Sequence, residues 1–190
     1  MCIRDRIWCF SQRSKNYLIK NGHKNIKLIP QIIDDSFWQF DNSPQGHILV
    51  IDPRNWGFYA NRVHEAAEET TLPVRIITQM LSPEDLREEI YRSSVVIAKG
   101  RSAMEAIMCG RPTIVFGHDS GDGLVTLNTI GDMMITNMSG WSKSKDNKIN
   151  LSDEIESATS LKKSHIIKLR KEMVNFVGIK YADVDMFLNG

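Results

Sequence analysis

Short apolar runs alternate along this chain with longer segments in which apolar residues recur every three or four positions. The runs are rich in Val and Ile, as expected of strands that are buried on both faces, and the spaced segments are typical of helices. The predicted strands are residues 26–29, 47–51, 74–77, 94–98 and 113–116. The predicted helices are residues 12–21, 58–70, 82–92, a two-turn helix that ends at residue 110, and residues 128–135, 151–160, 164–176 and 181–188.

The order of these elements predicts the fold class. Strands and helices alternate with short connections, which specifies a parallel sheet covered on both faces. We therefore predict an α/β protein with a Rossmann-like, doubly wound parallel sheet. Ligands of such sheets bind beyond the carboxyl ends of the strands.

The two-turn helix has clear signals at both ends. Ser102 followed by Glu105 three residues later is a capping-box signature, and Gly110 followed by Pro112 is a stop signal. The spacing thus predicts Ser102 as the helix N-cap, with Glu105 accepting from its backbone N–H.

The start of this helix has the composition of an anion site. A strand that enters a helix through a glycine, here Gly100, leaves unpaired backbone N–H groups and the positive end of the helix dipole facing the crevice. Lys99 and Arg101 flank that glycine and can contribute charge toward a diphosphate. On spacing alone, the same two cations also fit a solvated helix start.

Three segments of the chain resemble a known family. They are Gly100-Arg101-Ser102-Ala103-Met104-Glu105-Ala106-Ile107-Met108-Cys109-Gly110-Arg111-Pro112, Gly121-Asp122-Gly123-Leu124-Val125-Thr126 and Asn137-Met138-Ser139-Gly140. Together they resemble the donor half of a GT-B fold glycosyltransferase of the bacterial family 4/1-like group. The corresponding sequence motifs of that group read roughly GRSALEAMACGRPV, GDG-VT and NFSG. Residues 11–34 also resemble the crossover between the two domains of those enzymes.

The resemblance implies an activity and its partners. It implies transfer of a sugar from a nucleotide-diphosphate sugar to a saccharide, lipid-linked or small-molecule acceptor, with no metal or other cofactor. Glu105 matches the glutamate that accepts hydrogen bonds from the ribose hydroxyls, although it could merely close the capping box. Many retaining members carry a second glutamate where this chain has Ile97, so retention and inversion both stay open.

The expected site residues follow from the motifs and the resemblance. Donor and phosphate contacts are expected from Arg54, Lys99, Gly100, Arg101, Ser102 and Glu105. The loop after residue 116 is either a plain connection or a source of contacts to the donor sugar, through Gly117, His118, Asp119, Gly121, Asp122 and Gly123. The catalytic base is expected upstream, in an N-terminal domain, with His118 as the candidate within this chain.

Two other functions remain open on the sequence. A nucleotide-sugar 2-epimerase or a polyol-phosphate transferase has the same architecture, and a non-catalytic nucleotide-binding module would retain the fold. Transfer to an acceptor, isomerisation of the free nucleotide sugar, and binding without turnover would distinguish the three.

The resemblance also suggests a domain organisation. Residues 7–40 are expected to be the end of an acceptor domain and its crossover, residues 41–160 the donor-binding domain, and residues 161–190 helices that pack back toward the acceptor domain. Met1-Cys2-Ile3-Arg4-Asp5 can be encoded by a sequence that resembles a transposase adapter, so residues 1–6 are expected to be non-native. A chain of this kind is expected to be inactive alone.

Composition narrows the functional classes further. The 190 residues are 42% hydrophobic and 25% charged with a net charge of +1, which gives no reason to expect a nucleic-acid partner. No apolar stretch reaches the length of a membrane span. Cys9 and Cys109 lie in apolar segments and are expected to be reduced and buried, as in a cytoplasmic protein. For the full-length enzyme, peripheral association with the inner face of the membrane is a further expectation.

Overall fold

The computed structural model describes residues 7–29, 31–41, 43, 46–51, 57–117, 121–142 and 149–177, with backbone alone for residues 57–60. The strands in these ranges are β1 (Ile7–Cys9), β2 (Ile26–Leu28), β3 (Ile48–Ile51), β4 (Val74–Ile77), β5 (Val95–Ala98), β6 (Thr113–Phe116) and β7 (Gly121–Leu124). The helices in these ranges are α1 (Gln12–Lys20), α2 (Gly57–Glu68), α3 (Pro83–Tyr91), α4 (Arg101–Met108), α5 (Ile130–Ile135), α6 (Leu151–Thr159) and α7 (Lys163–Val177).

Five strands form the main sheet, in the order β4-β3-β5-β6-β7. The first four are parallel, with Ile48 opposite both Val74 and Val95. The fifth, β7, pairs antiparallel with β6 and shifts register at Val115 and Phe116. Counted from β3, the order is 2-1-3-4-5, a common order of doubly wound sheets.

Both faces of the main sheet are covered, because alternate side chains of each buried strand enter different cores. On one face Leu49, Val96 and Val115 pack with residues of α4, α5 and α7. On the other face Val50 and Ile97, with other strand residues, pack against α2 and α6. The predicted α/β class with a doubly wound, Rossmann-like sheet is confirmed.

Residues 7–29 form a small unit of their own, in which β1 and β2 pair in parallel and α1 connects them. Ser11 caps α1 by accepting from the Ser14 backbone N–H at 3.1 Å. The segment that follows packs onto the main domain. Ile33 and Trp38 are buried there, and the Ile33 N–H donates to the Val177 carbonyl at the end of α7.

A buried arginine holds this connecting segment in place. Arg111 Nη2 donates to Asp41 Oδ2 at 2.7 Å and also to the backbone carbonyls of Ser43 and Tyr91. Arg111 Nε donates to the Ile90 carbonyl and Nη1 to the Asp41 carbonyl. Trp38 is buried in the core, so the described part of this segment packs against the main domain.

Most predicted elements are present, with ends that differ by a few residues. The predicted loop after residue 116 is wrong for residues 121–124, which form β7. The predicted helix over residues 181–188 and the adapter-like residues 1–6 lie outside the described residues. In the part of the chain that is described, no helix is long and apolar enough to cross a membrane.

Candidate functional site

The strand order locates a crevice at one edge of the main sheet. The chain leaves β3 for β4 on one side and then returns to β5 on the other side. Ligands of open α/β sheets bind at such a switch point, beyond the carboxyl ends of the two strands. Residues 52–56 follow β3 and lie outside the described residues, so Arg54 has no described position. Lys99 and Gly100 follow β5 and begin the described part of this crevice.

Gly100 makes the turn from β5 into α4. Its backbone has φ 61° and ψ −132°, a conformation that favours glycine, and a Cβ built on it would meet no atom within 4 Å. Its N–H donates to the Met138 carbonyl at 2.8 Å. The turn is therefore fixed on one side by a hydrogen bond and open on the other.

Helix α4 begins two residues earlier than the capping box requires. Its N-cap is Gly100, and no side chain caps it. The predicted capping box between Ser102 and Glu105 is wrong, because Ser102 already lies within the first turn. Among the described residues, none accepts a hydrogen bond from the backbone N–H groups of Arg101, Ser102 and Ala103.

Glu105 bonds to Arg101 instead of capping the helix. Arg101 Nε donates to Glu105 Oε1 at 2.7 Å, one turn along α4, and the two side chains are 55% and 6% exposed. Burial raises the pKa of the Glu105 carboxyl above its ordinary value, although Arg101 acts in the opposite direction. A buried carboxyl group thus lies one turn into α4 and is paired with the arginine at the helix start.

Lys99 extends from the end of β5 to the end of β6. Its side chain lies over Gly117, where an added Cβ would come within 3.0 Å of Lys99 Nζ. Gly117 therefore leaves room for the lysine. The crevice has one cation at each side of the Gly100 turn, with Lys99 toward β6 and Arg101 on α4.

The helix end of α4 adjoins a left-handed turn. Asn137 and Met138 have φ values of 58° and 51°, a region that residues other than glycine rarely adopt. Met138 is fully buried, and its carbonyl accepts from Gly100. This conformation is strained, and such strain is often found at ligand sites.

The same turn forms one wall of an open groove of about 670 Å³. The opposite wall is the small unit of β1 and α1. The groove is lined by Trp8, Phe10, Ser14, Asn137, Ser139 and Trp141, among others. Arg13 crosses it, donating to the Trp141 carbonyl at 3.3 Å with its guanidinium 5.3 Å from the Trp141 ring centre.

Comparisons with known proteins give structural likenesses but no family. A scan against protein-family models found no match, and a search of the curated proteins found none. Among solved structures, the chain is similar to a variant of S. aureus TarM crystallised with fondaparinux, alpha-GlcNAc-glycerol and UDP, at a TM-score of 0.47 and 10% identity. The match covers 90% of this chain and 44% of that one, so the chain spans less than half of TarM. The fold assignment rests on this chain's own strand order and register.

The residues proposed for a donor-sugar loop are not one loop in the structure. Asp122 is fully buried in β7, and its Oδ1 accepts from the Ser142 N–H at 2.9 Å. Gly123 has φ +83°, and a Cβ there would lie 2.6 Å from Glu154 Oε1. Gly121, which begins the same strand, lies close to the Ile149 side chain. These three residues serve β7, while His118 and Asp119 lie outside the described residues.

Two other buried groups matter less for binding. Cys9 and Cys109 are buried free thiols, as the sequence predicted. Burial is the main reason that the pKa of Cys109 rises to about 12. Because the thiolate is the reactive form, Cys109 is inert in the folded protein.

The sequence alone does not indicate the groove between the β1–α1 unit and the Asn137 turn. Asn137 and Ser139 belong to a segment that carried the resemblance, but neither was given a role. Arg13 and Trp141 are 128 positions apart and carry no shared motif. A helix followed directly by Asn is a signal for a left-handed turn, because Asn tolerates that conformation better than most residues.

Proposed function

We propose that this chain is the donor-binding part of a glycosyltransferase that uses a nucleotide-diphosphate sugar. The observation that carries the proposal is the start of α4. Three backbone N–H groups without a described acceptor lie between two cations, at the switch point of a doubly wound sheet. Helix ends of this kind bind anions through their N–H groups and their dipole.

The diphosphate would bind at the N–H groups of Arg101, Ser102 and Ala103. A helix N-terminus contributes about 0.3 to 2 kcal/mol toward an anion, and charge-assisted hydrogen bonds add to it. Lys99 supplies a point charge and Arg101 a planar donor pair. The open space at Gly100 lets an anion approach the backbone closely.

Glu105 would accept hydrogen bonds from the ribose hydroxyls. Its carboxylate is buried one turn into the helix whose start would hold the diphosphate, and hydrogen-bond donors reduce the cost of burying its charge. A ribose diol supplies two. This assignment agrees with the role that the family resemblance implies for the same residue.

The chemical step would depend on positioning and on stabilising the leaving group. As the sugar departs, negative charge grows on the nucleotide diphosphate, and the fixed N–H groups and nearby cations of the α4 start stabilise it without reorganising. Such a site supplies electrostatic stabilisation from the chain's own groups. The acceptor would occupy the groove beside the Asn137 turn, since Trp8, Phe10 and Trp141 offer aromatic surface for a saccharide and Ser14, Asn137 and Ser139 offer polar contacts.

Calorimetry with UDP and GDP tests the donor site. We expect at least one of them to bind, and Arg101→Met to weaken that binding by about tenfold, the equivalent of one charge-assisted contact of roughly 1.4 kcal/mol. Arg92→Met is the matched control, because Arg92 is an exposed arginine that precedes β5 and so lies at the opposite edge of the sheet. Absence of binding by both nucleotides, or an equal loss in the two variants, contradicts the proposal.

Product analysis of the complete enzyme separates the proposed reaction from its rivals. A nucleotide sugar is incubated with and without saccharide and lipid-linked acceptors. A transferase forms a glycosylated acceptor and releases the nucleotide diphosphate. An isomerised nucleotide sugar formed without any acceptor would indicate an epimerase and contradict the proposal.

A further inference from the structure

Arg101 and Glu105 each use only part of their hydrogen-bonding capacity on one another. The contact joins Arg101 Nε to Glu105 Oε1. Within the described ranges, no residue accepts from Arg101 Nη1 or Nη2, and none donates to Glu105 Oε2. The guanidinium is half exposed at the helix start, whereas the carboxylate side chain is more than nine-tenths buried.

The burial of Glu105 sets the energetic problem. Removing the donor from a buried carboxylate is costly, because the charge has lost its water and cannot regain it. A donor to Glu105 therefore reduces the cost of burying its charged form. Without a ligand, Arg101 is the only charged donor that any described residue supplies to it.

We propose that the Arg101–Glu105 pair makes recognition of ribose depend on the diphosphate, an inference that rests on the proposed function. When a nucleoside without phosphate arrives, a diol that engages both carboxylate oxygens must displace Arg101 Nε from Oε1. When a diphosphate binds at the start of α4, it attracts the guanidinium and weakens the Nε–Oε1 contact. The diol hydroxyls then take over as donors, so Glu105 exchanges one set of partners for another.

This exchange disfavours ligands that carry only the ribose diol or only the diphosphate. Free nucleosides meet a carboxylate whose Oε1 is already bonded to Arg101, and inorganic pyrophosphate draws Arg101 away without offering a replacement donor. A nucleoside diphosphate satisfies both groups together. The two parts of the ligand are thus positively coupled, and by linkage the coupling is the same in either order.

The test is a ligand cycle measured by calorimetric displacement. The four ligands are a nucleoside, its diphosphate and the 2′,3′-dideoxy form of each, built on uracil or guanine, whichever diphosphate binds more tightly. In the natural chain we expect the diol to improve affinity more in the diphosphate than in the nucleoside. The expected ratio of the two improvements is roughly 5 to 150, the usual range for coupled sites.

Variants of Arg101 decide whether the pair is responsible. Arg101→Met removes the competing donor, so the ratio should fall to about one while the nucleoside binds more tightly than it does to the natural chain. Arg101→Lys keeps a cation but not the planar set of donors, and it should retain more diphosphate affinity than Arg101→Met while the ratio falls. Arg92→Met should leave the ratio unchanged. Because Arg101→Met removes a donor from buried Glu105, circular dichroism and urea unfolding check that each variant is folded under the conditions of the titration.

The outcomes separate this inference from the proposed function. If the natural chain binds neither diphosphate, the proposed function is wrong. If a diphosphate binds but the diol contributes equally with and without phosphate, the function stands and the coupling is overturned. A ratio above about five that persists in Arg101→Met would likewise overturn the role of this pair.

Discussion

The backbone N–H of Gly100 donates to the Met138 carbonyl at 2.8 Å, which ties the strand-to-helix turn after β5 to the left-handed turn after α5. Each turn has a conformation that few residues adopt, with φ 61° at Gly100 and 51° at Met138. The bond joins two strained segments at the edge of the proposed donor site. A change in the backbone conformation of one turn should therefore alter the conformation of the other.

Substitutions at Asn137 test this connection. Asn137 has φ 58°, where a β-branched residue is strained, so Asn137→Val should cost about 1 to 2 kcal/mol of unfolding free energy. It should also weaken nucleoside diphosphate binding, because the Met138 carbonyl would no longer hold Gly100 in place. Asn137→Gly suits the conformation and should leave stability within about 0.5 kcal/mol of the natural chain. Urea unfolding and calorimetry measure both effects, and equal behaviour of the two variants would refute the connection.

Arg111 should be the most sensitive arginine for stability. Its buried guanidinium bonds to Asp41 and to several backbone carbonyls, so Arg111→Ala leaves buried acceptors without a donor. We expect a loss of about 3 to 5 kcal/mol in unfolding free energy, as for a broken buried ion pair. Arg92→Ala, at an exposed position, should cost less than about 0.5 kcal/mol. A loss below 1 kcal/mol in Arg111→Ala would show that the connecting segment is held by other contacts.

Glu105→Gln should make stability less dependent on pH. Because burial raises the pKa of Glu105 in the folded chain, the folded state holds its proton more tightly than the unfolded state, and stability falls as the pH rises through that interval. The variant cannot ionise, so its stability relative to the natural chain should increase from about pH 4.5 upward. Urea unfolding at a series of pH values measures this difference. A variant that loses stability at neutral pH would mean that the charged pair stabilises the fold.

The sequence predicted the main sheet well because its strands are buried on both faces. Such strands must be continuously apolar, and the run from Val95 to Ala98 shows it plainly. Local signals also worked where a backbone group needs a specific residue. Ser82 caps α3 by accepting from the Asp85 N–H, and Gly110 ends α4 with φ +78°.

The sequence failed where distant residues decide the structure. Gly121, Asp122 and Gly123 have the composition of a turn, yet they form β7 because the rest of the domain satisfies their polar groups. Glu154 accepts from the Leu124 N–H at 2.6 Å, and Asp122 accepts from Ser142. Neither partner is close in sequence, so no local pattern could reveal the strand.

The turn at the candidate site was predicted, but its contacts were not. The order of strand, glycine and helix located the Gly100 turn, where we propose the anion site. The role of Glu105 depended on whether α4 begins at Arg101 or two residues later, and a shift of this size exchanges a capping contact for an ion pair with Arg101. Helix boundaries are the least certain part of any sequence prediction.

The most direct test of the donor site is a titration of the ¹⁵N-labelled chain with UDP and with GDP, followed by amide resonances. We expect the amide resonances of Arg101, Ser102 and Ala103 to shift most among the described residues, because their N–H groups would donate to the phosphate oxygens. A second, smaller groove is lined by Leu161, His165 and Lys168, among others. The amide resonances of these three residues should not shift. If neither nucleotide moves the three α4 amides, or if the largest shifts fall in that smaller groove, the α4 start is not the nucleotide site.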